Sequence, residues 1–148
     1  MRSLSSVVWI CSTTALLCLA VTAQEPSKIS CPDSVSVSDP QLAQPITGWR
    51  AMVDKAPHRL SRVAFFDGPV EQNASLAPNK ETQAGKIHTA TWLLQPTAER
   101  TYWLACYYSR TSLMMTRALP PGLKECTVTY DRSVEIDGMP SIKSLSCK

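Results

Sequence analysis

Thr101-Tyr102-Trp103-Leu104-Ala105-Cys106-Tyr107-Tyr108 is an uncharged run, rich in aromatic residues, with neither glycine nor proline in it. In an extended chain, side chains alternate between two faces. Tyr102, Leu104, Cys106 and Tyr108 then share one face, and Trp103, Ala105 and Tyr107 share the other. A strand with one wet face would alternate apolar with polar residues. This one is apolar on both sides, which predicts a central strand covered above and below.

Working outward from it, prolines and glycines cut the chain into short pieces rich in Val, Thr, Tyr and Trp. Residues 29–37 read as a first extended piece, and 39–45 as a loop because Pro40 and Pro45 interrupt regular pairing. Residues 47–53 fit either a strand or one helical turn. Residues 59–66 alternate, with Val63 and Phe65 on one side, and Asp67-Gly68-Pro69 closes that strand as a turn. Residues 72–77 have room for a single helical turn. Strands are expected at 86–94, 101–108, 113–119, 124–130 and 141–147, with turns at Pro120-Pro121-Gly122 and Asp137-Gly138. Short strands at even spacing predict an all-β fold, a small antiparallel sandwich or barrel.

The first 23 residues read differently. Arg2 is followed by an uncharged apolar stretch from Val7 to Val21, and small residues stand at Val21 and Ala23 before Gln24. This is the pattern of a cleavable secretory signal, cut between Ala23 and Gln24. The apolar stretch is short for a membrane span of ~20 residues. Leu17 before Cys18 is wrong for lipoprotein processing. The expected organisation is a leader at 1–23 and one β domain at 24–148. Without Arg2, 14 basic residues face 12 acidic ones, too even a balance for a nucleic-acid surface.

Cys11 and Cys18 lie in the leader, which leaves Cys31, Cys106, Cys126 and Cys147. No two of these four are two to four residues apart, so the spacing argues against zinc and for disulfides in an oxidising compartment. Four cysteines permit three pairings, and sequence alone does not decide among them. A hairpin around Asp137-Gly138 would set Cys126 opposite Cys147. A strand at 113–119 lying between Cys106 and Cys126 would hold them roughly 9–10 Å apart, too far to bridge. The favoured pairing is therefore Cys31–Cys106 with Cys126–Cys147.

No arrangement asks for catalysis. The two histidines, His58 and His88, stand apart in sequence from any nucleophile motif. There is no Gly-x-Ser-x-Gly elbow, no His-Glu-x-x-His pair and no calcium loop. Neither a catalytic residue, a metal nor another cofactor is expected. The candidate contacts are of another kind. Asp67, Gly68, Pro69 and Glu71 form a rigid acidic turn in which Asp67 is placed to cap nearby amides. Trp103 and Tyr107 occupy the strand face left for a contact surface.

Several short strings taken in order carry a family resemblance. They are Cys31-Pro32, Gly48-Trp49, Phe66-Asp67-Gly68-Pro69, Leu76-Ala77-Pro78, Tyr102 to Tyr107, Leu119-Pro120, Cys126-Thr127-Val128 and the terminal Cys147. Together they resemble an uncharacterised family of small exported proteobacterial proteins known by an enterobacterial STY locus tag. The resemblance implies a Gram-negative source and a periplasmic or secreted protein, and it brings no activity. It also removes significance from the glycosylation sequon at Asn73-Ala74-Ser75.

The expected function is a non-enzymatic binding or inhibitory module that is no longer membrane-associated once its leader is cut. Its partner would be another protein in the envelope or outside the cell. By analogy of size, export and β build with bacterial lysozyme inhibitors, Asp67 and Glu71 would meet a basic partner. The alternative is an accessory subunit of an envelope assembly, docked through an apolar patch around Trp103 and Tyr107.

Overall fold

A computed structural model describes residues 29–38, 44, 46–48, 50–52, 55–95, 97 and 99–148. The leader expected at 1–23 and most of the loop expected at 39–45 lie outside them. Eight strands are formed among these residues: β1 (Ser34–Val35), β2 (His58–Asp67), β3 (Lys80–Ala84), β4 (Ile87–Leu93), β5 (Tyr102–Tyr108), β6 (Met114–Ala118), β7 (Glu125–Ile136) and β8 (Met139–Cys147). They make two four-stranded antiparallel sheets, ordered β1-β2-β5-β6 and β3-β4-β7-β8. The predicted all-β fold is thus a sandwich.

The core fills the space between the sheets. β2 contributes Leu60, Val63 and Phe65; β5 contributes Leu104, Cys106 and Tyr108; β4 contributes Ala90 and Trp92; β7 contributes Cys126 and Val128. Phe65, Leu104, Cys126 and Val128 are completely buried. Phe65 and Trp92 meet at 4.8 Å between ring centroids, tilted by 51°. The Trp92 indole N–H donates to the Leu76 carbonyl at 3.0 Å, so its polar atom is satisfied inside the apolar layer. Burying a side chain such as Phe65 stabilises the fold by about 1.5–3 kcal/mol.

Cys31 bonds Cys106, with Cα atoms 5.9 Å apart, and Cys126 bonds Cys147. Cys126 and Cys147 stand directly opposite in the β7–β8 ladder. The strand order around Cys106 and Cys126 differs from the expected one. β6 does not lie between Cys106 and Cys126 in one sheet, because β6 and β7 belong to different sheets. The Pro120-Pro121-Gly122 turn carries the chain across the sandwich instead of closing a hairpin.

Other segments also differ from expectation, among them β3, which has no expected counterpart. The first strand shrinks to Ser34–Val35, paired with His58 and Arg59. Its neighbours are held by the disulfide, by the Tyr108 hydroxyl donating to the Pro32 carbonyl at 3.1 Å, and by the Leu60 N–H donating to the Asp33 carbonyl at 2.8 Å. Pro32 has no N–H to give to a ladder. In 47–53, Thr47, Gly48 and residues 50–52 join neither strand nor helix, while Trp49 and Val53 lie outside the described residues. The helical turn falls earlier, as a 3-10 turn at Val70–Gln72.

Candidate functional site

β5 is central in its sheet, flanked by β2 and β6. Its inner face meets the second sheet, and its outer face forms three cross-strand rows. Phe66, Trp103 and Ala118 align; then Ala64, Ala105 and Thr116; then Arg62, Tyr107 and Met114. A β-bulge around Ser61 sets this register, since Leu60 faces Tyr108 while Arg62 faces Tyr107.

One end of this face is covered and the other is open. The chain leaves β2 at Asp67 and folds back, so that Val70 packs with Phe66 and Ala105 and leaves Ala105 wholly buried. Trp103 and Tyr107 are only half-buried beside them. β6 is exposed along all five of its residues, and Leu113, Met114 and Met115 are exposed large apolar side chains. The Arg62 guanidinium lies over the Tyr107 ring, 3.8 Å from its centroid, and makes no ion pair among the described residues.

The acidic turn sits at the covered end. Gly68 takes φ +96° and its N–H donates to the Thr101 carbonyl at 3.0 Å. The Asp67 N–H donates to the Ala74 carbonyl at 2.9 Å and the Leu76 N–H to the Phe65 carbonyl at 2.8 Å, closing the loop on itself. Asp67 does not cap the turn's amides. Its carboxylate instead faces the Arg100 guanidinium at 3.7 Å. Glu71 is exposed within the 3-10 turn. Gly68, Pro69, Gln72, Arg100 and Trp103 line a shallow open recess there. The structure therefore brings the turn (Asp67, Gly68, Pro69 and Glu71) and Trp103 to one end of the face, with Tyr107 at the other. Sequence reasoning missed Arg62 and Met114. The signal for both is the cross-strand register, which a single strand's pattern does not carry.

Both histidines are engaged in packing. Buried His58 donates from Nδ1 to the Ser109 carbonyl at 2.9 Å. His88 stacks on Tyr130, with centroids 5.6 Å apart. Among the described residues, no group of His, Cys, Asp and Glu is arranged to hold a metal ion.

The fold and face define a disulfide-stapled β-sandwich with a partly uncovered aromatic sheet face. Residues 55–148 match the family model of the type VI secretion system Tli immunity protein, and the chain belongs to that family. No curated protein and no solved structure matches it. The sequence resemblance pointed to a small bacterial family, and the matched model supplies one whose description carries a role.

Proposed function

We propose that this protein is an immunity module that binds a toxin associated with a type VI secretion system and blocks it by occupancy, without chemistry of its own. One observation carries the reading: in a chain of an immunity family, the outer face of β2-β5-β6 leaves Trp103, Tyr107 and Met114 partly open, with Arg62 stacked over Tyr107. Trp, Tyr and Arg are the residue types that dominate binding energy at protein interfaces. The acidic turn forms the rim of the same surface, with Glu71 exposed in the 3-10 turn and Asp67 facing Arg100.

Residues 1–23 act as the export leader in this reading, and 24–148 form one domain in the periplasm. The two disulfides support it, because such bonds persist in oxidising compartments. The test is bacterial competition. A susceptible recipient expressing the full chain is placed against an attacker whose type VI system is active, and survival is compared with a recipient carrying the empty vector. Protection that disappears when residues 2–23 are deleted is the expected result. Equal killing of both recipients would overturn the reading.

A further inference from the structure

We propose that the Arg62–Tyr107 pair is the charge anchor of the interface and receives a carboxylate of the partner protein. The inference rests on the binding role above and deepens it, since it fixes the sign of the partner's surface. The outer-face rows hold Phe66, Trp103, Ala64, Ala105, Tyr107 and Met114, and Arg62 is their one charge. A guanidinium left without a carboxylate among the described residues, on an apolar ground, favours an anion.

The geometry prepares it for that task. Stacking on Tyr107 at 3.8 Å restrains a long side chain before binding, so less freedom is lost when the partner arrives. The guanidinium keeps a planar fork of donors that matches both oxygens of a carboxylate. Tyr107 and Met114 exclude water around the contact, which raises the strength of the ion pair. Within the acidic turn, by contrast, Asp67 already has Arg100 beside it. The partner that fits is therefore acidic where it meets Arg62, with apolar side chains around that acidic group, and not a uniformly basic protein.

The full chain, its Arg62→Lys variant and its Arg62→Glu variant are immobilised and exposed to the attacker's secreted proteins. A zero-length carbodiimide, which joins an amine to a carboxylate only in direct contact, is then applied to the Arg62→Lys complex. The expected result is one saturably retained protein, lost from Arg62→Glu by at least about tenfold, with its Asp or Glu coupled to position 62. Equal retention by wild type and Arg62→Glu would overturn the proposal, as would coupling at other lysines but never at position 62. An empty column would overturn it too. Failure here with intact protection in the competition assay leaves the immunity role standing and removes only the anchor. Unchanged melting of Arg62→Glu shows that the fold is not the cause.

Discussion

Gly68 is the residue on which the covered end of the face turns. Its φ of +96° lies where a side chain is strained, and an added Cβ would stand 2.6 Å from Oε1 of Gln72. The Gln72 tip can swing away, so the backbone sets the cost. Gly68→Ala should lower the unfolding free energy by roughly 1–2 kcal/mol, read by urea titration. Tyr130 gives a second test at this scale. Burial raises its phenol above the usual value, the Glu81 carboxylate adds to that, and Arg62 partly opposes both. A phenol that keeps its proton longer when folded stabilises the protein fully below about pH 10. That contribution is lost as pH rises from there through the folded value. Tyr130→Phe should therefore lose less melting temperature than wild type between about pH 9 and pH 11.

At the scale of elements, the β7–β8 hairpin turns on Asp137 at φ 51° and Gly138 at φ 76°. Positive φ at both central residues is the tight hairpin turn that favours Asn-Gly and Asp-Gly. Asp137→Asn should change stability by less than about 0.5 kcal/mol, whereas Asp137→Val should cost roughly 1–2 kcal/mol in a denaturant titration. This turn was readable in sequence because its chemistry is local, and β5 was readable because both its faces are apolar. β3 was not. Lys80-Glu81-Thr82-Gln83-Ala84 has no apolar alternation and is exposed throughout; its pairing with β4 comes from the Gly85-Lys86 turn. The short β1 was over-read for the opposite reason. Val35 and Val37 alternate, yet a disulfide and side-chain bonds hold the neighbouring segment. The crossing between sheets after β6 has no local signature, since Pro-Pro-Gly marks a turn without giving its destination.

For the whole molecule, the two bridges do different work. Cys31–Cys106 spans 75 residues and ties the segment before β1 to the central strand, whereas Cys126–Cys147 spans 21 within one hairpin. On chain entropy alone, replacing Cys31 and Cys106 with Ala should destabilise by about 1 kcal/mol more than replacing Cys126 and Cys147. Melting of the two double variants under oxidising conditions checks the order. The candidate surface was half legible in sequence. The alternation of β5 placed Trp103 and Tyr107 together, and the turn chemistry picked out Asp67 and Gly68. Arg62, Met114 and the Arg100 partner of Asp67 come from β2, β6 and the approach to β5, and only folding brings them to that face. The most direct test of the account is a competition assay with two matched surface changes, Met114→Glu on the outer face of β6 and Thr82→Glu on β3 in the other sheet. Met114→Glu should abolish protection at unchanged melting temperature while Thr82→Glu protects like wild type; full protection by Met114→Glu would show that the outer face is not where the toxin binds.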